Sequence, residues 1–344
     1  MSGTGISTHE APPGHPELRC PACRGPLRSG FTSHTGRPGG PERRTTDHSG
    51  EELRCDGCGA AYPVDRGIPR FVPRDNYAES FGFQWNRHRL TQLDSVTGLP
   101  ISRERLTRQS RWAPEDLRGR HVLECGSGAG RFTEVLCESG AVVTSVDISS
   151  AVHANAASNG HHPGLRLLQA SIHDMPLPED AFDYLLCLGV IQHTPDVERT
   201  FKSLFRHLRP GGRFCVDVYA APVAYPHLRQ LLRPVTKRMP PDRLYALVER
   251  AVPRLLPISS ALARVPLLGP YLTRLVPVAN HAHLGLSGDT TALTWSILDT
   301  FDWLAPWHEK PQTRRALRRW TADLALRDVT IERHRGLYVV RGVK

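Results

Sequence analysis

The stretch 120–149, RHVLECGSGAGRFTEVLCESGAVVTSVDIS, constrains the fold more than any other part of the chain. HVLEC is a short apolar run that reads as a strand. RFTEVLCESG has apolar residues at helical spacing and ends on Gly140, a residue suited to the position just past a helix. AVVTSVD is β-branched and apolar, as a parallel strand buried on both faces should be. Strand, glycine loop, helix and strand make one βαβ unit, so the core is an α/β fold with a parallel sheet.

The loop carries glycines at 126, 128 and 130, whereas the dinucleotide fingerprint G-x-G-x-x-G needs its third glycine at 131, where this chain has Arg131. The residue leading into the loop is Glu124, whose carboxylate suits an ammonium or sulfonium better than a pyrophosphate. Asp147 closes the second strand, 21 positions after Gly126, where a carboxylate accepts from ribose hydroxyls. Together these features favour S-adenosylmethionine over a nicotinamide dinucleotide.

The N-terminal head carries LRCPACRGPL and LRCDGCGAAYPV, two matching C-x-x-C knuckles. Cys20, Cys23, Cys55 and Cys58 supply four sulfurs, the number that closes a structural Zn²⁺ site. A redox pair needs no twin and is usually set in a βαβ pattern, which is missing here. Between the knuckles the chain is rich in Gly, Ser and Thr, and reads as a mobile loop in which His34 and His48 are solvated. Cys125, Cys137, Cys187 and Cys215 stand singly in apolar stretches and read as buried thiols.

YPVDRGIPRFVP, after the second knuckle, resembles the zinc-ribbon family of methyltransferase activator proteins over about residues 18–73. The glycine loop with Asp147, followed by LRLLQASIHDMPLPEDAFDYLLCLGVIQHTPD and FKSLFRHLRPGGRFCVDVY, resembles class I methyltransferases dependent on S-adenosylmethionine over about 115–220. The resemblance implies a Rossmann-like seven-stranded core. In it Glu124 and Gly126 flank the methionine end of the cofactor, Gly128 and Gly130 let the backbone approach it, and Ser127 is a further cofactor-binding residue. Asp147 holds the ribose, Ile148 and Ile172 pack on the adenine, and Leu188 and Gly189 line the methionine side. Ser171 stands where many members carry an Asp that hydrogen-bonds the adenine amino group.

The chain divides into a disordered tail (1–17), a zinc ribbon (18–75) with a mobile loop (30–52), and aromatic lid or linker helices (76–119). The cofactor-binding core (120–220), a basic apolar helical cap (221–285) and a C-terminal helix with a closing β-hairpin (286–344) follow. The net charge of +10 is concentrated in the cap, which alone carries +7, whereas the ribbon region 1–75 carries +1. Prolines at 253, 257, 266, 270 and 277 are expected to break the cap into short helices. No apolar run approaches the roughly 18 residues that span a bilayer. With no apolar leader either, a soluble cytoplasmic protein is expected, with peripheral membrane contact left to the basic cap.

His193, just past the fourth core strand, is the candidate base, because imidazole accepts a proton at neutral pH. The lid stretch ESFGFQWNRHRLTQLDS offers Phe83, Trp85, Asn86 and Arg87 against the acceptor, and the tail offers Asp302, His308 and Glu309. Lid and tail also resemble those of methyltransferases from polysaccharide and natural-product pathways. The expected function is O-methylation of a small molecule or sugar. An RNA methyltransferase that reads its substrate through the ribbon is the alternative, disfavoured because that head is not basic. A non-catalytic zinc scaffold is the third reading, and the intact glycines with Asp147 weigh against it.

Overall fold

The computed structural model describes residues 14–31, 50–221, 227–281, 289–334 and 336–344. Most of the expected N-terminal tail, most of the loop between the knuckles with His34 and His48, and the two ends of the cap segment lie outside them.

Eleven strands form two sheets among the described residues. In the head, β1 (Leu27–Phe31), β2 (Glu51–Cys55), β3 (Ala61–Asp65) and β4 (Ile68–Pro69) make an antiparallel meander in that order. The core strands are β5 (His121–Cys125), β6 (Val142–Asp147), β7 (Leu165–Gln169), β8 (Phe182–Cys187), β9 (Leu208–Tyr219), β10 (Arg327–His334) and β11 (Leu337–Val343). Their order is β10-β11-β9-β8-β5-β6-β7. Strands β5 to β9 run parallel, and β11 and β10 close the edge antiparallel.

Successive residues of these strands divide between two apolar layers, as side chains that alternate across a sheet must. Leu123, Leu185, Phe214 and Val340 join the layer packed on the helices Val197–Leu204 and Arg314–Asp323. Their neighbours Val122, Leu186, Cys215 and Val339 join the layer packed on the helix Arg131–Glu138 and on Trp112. The sheet is therefore covered on both faces, which explains why its strands are apolar throughout.

The chain runs from β5 through β6 to β7 on one side, then crosses to β8 on the other side of β5. The order reverses between β5 and β8, so the crevice for a ligand opens at the C-terminal ends of these two strands.

The cap contains a correction. Residues Pro241–Ala263 form one helix of 23 residues, with Pro253 and Pro257 inside it. Both prolines lie on its exposed side, where the carbonyls they leave unbonded are accessible to water. The opposite side buries Leu244, Tyr245, Val248 and Val252 against Phe301 and Ile297 of the helix Asp289–Leu304. This packing outweighs the two lost helical bonds.

Replacing Phe301, fully buried in the cap, by Ala is expected to cost about 3–5 kcal/mol of local stability. Hydrogen exchange should accelerate through residues 244–252 while the sheet strands remain protected. Equal acceleration in β5 and β6 would show that the cap has no packing of its own.

Candidate functional site

The crevice at the switch point opens into a cavity of about 660 Å³, within the roughly 300–1,000 Å³ typical of small-molecule sites. Its floor is the glycine loop. Gly126 has φ 77° and donates its N–H to Val146 O at 2.6 Å. A Cβ there would meet Val190 Cγ2 at 2.2 Å, so the β5 and β8 loops approach each other only because position 126 has no side chain. A Cβ on Gly128 would lie 3.1 Å from Trp85 Nε1 of the overlying helix.

Asp147, at the end of β6, sits on the cavity wall and orders the loop. Its Oδ2 accepts from Gly128 N at 2.9 Å, and its Oδ1 accepts from Ser149 N at 2.8 Å and Ser149 Oγ at 2.7 Å. Burial pushes its carboxyl above the usual range. Ser127, Ile148, Ile172, Leu188 and Gly189 also line the cavity.

Three residues expected at the cofactor lie elsewhere. Glu124 is 2% exposed and outside the cavity lining; its Oε2 accepts from Thr133 Oγ1 (2.5 Å) and Ser145 Oγ (2.9 Å). It ties β5 to β6 and to the helix after the loop. Its Oε1 has no partner, and burial raises the carboxyl to about 7. Gly130 packs against the helix Val152–Asn159, where a Cβ would strike Asn155 Oδ1 at 2.2 Å. Ser171 is a capping residue, accepting from His173 N at 3.2 Å, and does not reach the cavity.

The lid helix Glu79–Arg87 presents two faces, divided differently from the expectation. Phe81 and Trp85, one turn apart, line the cavity. Phe83 packs on Tyr245 and Phe301 of the cap, Arg87 lies over the Tyr245 ring at 4.4 Å, and Asn86 bonds Ser150 O at 3.0 Å. Of the four lid residues expected at the acceptor, only Trp85 reaches the cavity.

At the far wall, His193 Nδ1 is 3.0 Å from the carbonyl of His308. A carbonyl only accepts, so Nδ1 carries the proton and Nε2 the lone pair. The ring meets Phe81 and Tyr219 edge-on, at 5.3 and 5.5 Å between centroids. Burial in this aromatic setting pulls the imidazole down to about 4, so it is neutral at neutral pH. His308 itself is outside the cavity lining, its ring against Tyr77, and Glu309 is spent on Arg229 (3.3 Å) and Arg233 (3.1 Å).

Asp302 does line the cavity. Its Oδ1 accepts from Gln84 Nε2 of the lid helix at 3.2 Å, and burial raises its carboxyl to about 7.

Two further residues shape the cavity, Asp217 from behind its wall and Arg131 within it. Asp217 of β9 is fully buried and accepts from Gly189 N (2.5 Å), Arg105 Nη2 (2.9 Å) and Gln109 Nε2 (3.3 Å). An acid between apolar residues of a core strand, as in FCVDVY, was the available signal. Arg131, noticed only because it is not glycine, lines the cavity and donates to Ser102 Oγ (3.1 Å) and Gln92 Oε1 (2.8 Å).

In the ribbon, the Sγ atoms of Cys20, Cys23, Cys55 and Cys58 all lie within 4.8 Å of one another. Cys20–Cys58 is 3.7 Å and Cys23–Cys55 is 3.3 Å. Sulfurs about 2.3 Å from a tetrahedral Zn²⁺ are about 3.8 Å apart, so the donor set fits that ion. A Cβ at Gly25 would stand 3.2 Å from Cys55 Sγ, so the knuckles close only around a bare backbone.

Two measurements check these assignments. The purified protein should release one Zn²⁺ per chain on denaturation, and Cys55→Ser should lose the metal and broaden the NMR signals of β1 to β3; full metal content in that variant would contradict the four-sulfur site. The second concerns Asp302. Its folded pKa is raised, so the unfolded chain ionises first, and stability is lost as pH rises from about 4 to about 7. Asp302→Asn removes that loss, so its urea midpoint should gain on the wild type across this window; a constant difference would show that the carboxyl is not held neutral.

Residues 123–216 match the methyltransferase domain family and residues 15–67 the Trm112p-like protein family. The chain is similar to a ubiquinone biosynthesis O-methyltransferase from Coxiella burnetii, 33% identical over 99 residues, which are 28% of this chain and 42% of that protein. It is 32% identical over 120 residues to the enzyme of the same name from Pseudomonas fluorescens, covering 33% of this chain and 52% of the other. The chain thus spans about half the length of the curated relatives it matches. A SAM-dependent methyltransferase from Archaeoglobus fulgidus overlays 71% of this chain and 94% of its own with TM-score 0.39 and 13% identity. No described helix is long and apolar enough to cross a membrane. The chain carries a class I methyltransferase domain at 123–216, preceded by a Trm112p-like zinc ribbon at 15–67.

Proposed function

We propose that this chain methylates an oxygen of a small molecule or sugar, using S-adenosylmethionine bound at the glycine loop. One observation carries the reading: Gly126, Gly128 and Asp147 share a single cavity with His193, Asp302 and with Trp295 and Trp303 of the helix Asp289–Leu304. Cofactor and acceptor groups therefore open onto the same enclosed space. The named relatives are O-methyltransferases of ubiquinone biosynthesis, which favours oxygen as the acceptor atom.

The residues fit the cofactor. Asp147 has lone pairs left for a ribose, and Ile148 and Ile172 offer an apolar slot for an adenine. Ser127 Oγ, buried and without a partner, is available for the methionine end. When bound, the cofactor supplies an electrophilic methyl on a sulfonium. The protein's task is then to position the acceptor and exclude water. The closed aromatic wall of Phe81, Trp85 and Tyr219 serves exclusion. His193 presents its Nε2 lone pair to the cavity as the group that takes the acceptor's proton.

Transfer of a labelled methyl group tests the reading, with unmethylated total RNA and a small-molecule and glycan extract offered separately. Label is expected in the extract; label in RNA would overturn the small-molecule assignment. Asp147→Ala should weaken S-adenosylhomocysteine binding about tenfold or more, since the acceptor for the ribose hydroxyls is lost. His193→Ala should leave that binding intact and slow transfer by about 10²–10⁴-fold. A full rate would remove His193 as the base.

A further inference from the structure

We propose that the cap end of the cavity, between Arg131 and Trp295, receives an anionic group of the methyl acceptor, a carboxylate or a phosphate. The inference rests on the reading of the cavity as a methyltransferase site and adds the chemical class of the acceptor.

The observation behind it is a surplus of donors. Arg131 donates only to neutral oxygens, those of Ser102 and Gln92, and among the described residues no carboxylate pairs with it. Arg105, by contrast, rests on Asp217 at 2.9 Å. The Arg131 guanidinium stacks near Phe132 (5.0 Å) and Trp295 (5.6 Å), which keep it from bulk water. A half-buried cation on a cavity wall with no ion pair is costly, and such a cost is retained where the charge is used. Trp295 is 3% exposed, lines the same cavity, and its Nε1–H has no partner. One N–H without a partner beside a guanidinium that bonds only neutral oxygens calls for an anionic acceptor that the described residues do not supply. Two carboxylates act on the Arg131 charge from nearby: Asp299 is engaged by His281 Nε2 at 2.8 Å and approached by Gln92 Nε2 at 3.5 Å, and Asp94 accepts from Ser102 N at 2.8 Å and Arg103 N at 2.9 Å.

The position favours the acceptor over the cofactor as the source of the anion. Gln92 follows the lid helix and Trp295 belongs to the helix Asp289–Leu304 under the cap. Both are outside the stretch 123–216 that carries the methyltransferase-domain match. The flat rings around the guanidinium also suit an acceptor with an aromatic or planar body.

Calorimetry on the full chain saturated with S-adenosylhomocysteine tests this with benzoate, phenyl phosphate and the neutral benzyl alcohol as probes. At least one anion should bind about tenfold or more tightly than the alcohol. Arg131→Gln should abolish that preference and Arg131→Lys, which retains the charge, should preserve it. Trp295→Phe, which keeps the ring and removes the N–H, should weaken the anion a few-fold. Affinity for S-adenosylhomocysteine and for 5′-methylthioadenosine, which lacks the amino-acid end, should be unchanged in all three variants. If Arg131→Gln weakens S-adenosylhomocysteine but not 5′-methylthioadenosine, the charge serves the cofactor and the proposal is overturned. Equal binding of anions and alcohol, or binding of none, also overturns it and leaves the cofactor reading standing. Failure of the wild type to bind S-adenosylhomocysteine would instead sink the methyltransferase reading itself.

Discussion

Two carboxylates, a partly exposed one at Asp147 and a fully buried one at Asp217, anchor the loops that flank the cavity. The gap for a ligand lies between β8 and β5, at the loops that leave these strands. Asp147 of β6 binds Gly128 N of the β5 loop, and Asp217 of β9 binds Gly189 N of the β8 loop. In the sheet order β9-β8-β5-β6, each loop is thus drawn toward the outer neighbour and away from the gap. Each bond is to an ionisable acceptor in a low-dielectric setting, a class that contributes about 1.5–3 kcal/mol. Gly126 allows the loops to meet at Val190 without a side chain between them. The crevice is therefore placed by strand order, and the loops beside it are fixed by two acids and by the contact of Gly126 with Val190.

The cap and lid convert this crevice into an enclosed site. The lid helix is one turn of aromatic residues facing inward, Phe81 and Trp85, backed by Phe83 facing outward into the cap core. Gln84, between them, is 1% exposed and bonds Asp302 of the cap. His88 extends the seam, its Nε2 2.8 Å from Tyr245 Oη. Lid and cap therefore form one unit whose inner surface is aromatic and whose seam is hydrogen-bonded. A wall of this kind excludes water while offering several polar groups with fixed directions.

The βαβ unit and the ribbon sulfurs were legible because each rests on a local pattern, a period, a spacing or a turn residue, whereas the seven-stranded core was implied only by the family resemblance. What was not legible depends on which way a side chain faces once elements pack. The lid sequence announces its aromatics, but only docking on the cap decides that Phe81 faces the cavity and Phe83 does not. Glu124 reads as a cofactor acid by position, yet the helix after the loop supplies Thr133, and the carboxylate turns to it. Pro253 and Pro257 break helices by local rule, and burial along the other face of the same helix overrides the rule. Arg131 looks like a departure from a glycine fingerprint, and its use becomes visible only when Gln92 and Trp295 arrive from distant parts of the chain.

The ribbon is joined to the cavity through the edge of the sheet. Strand β7 is the outer strand on that side, and an open strand edge invites unwanted pairing. Phe71, just after β4, donates its N–H to Gln169 O at 2.8 Å and so continues the ladder past β7. Arg19 N binds Pro176 O at 3.0 Å, and the Arg24 guanidinium, between the first two knuckle sulfurs and β1, reaches Met175 O at 3.1 Å and Leu177 O at 3.2 Å. Residues 175–177 directly follow the turn Ile172–Asp174, whose first residue lines the cavity. The knuckle fold that four thiolates impose on Arg19 and Arg24 therefore fixes three consecutive carbonyls close in sequence to Ile172 of the cavity wall. A head of so few strands has little core of its own and needs a metal to hold this shape. In this chain the zinc site acts at a distance, by securing the backbone on which one wall of the cavity is built.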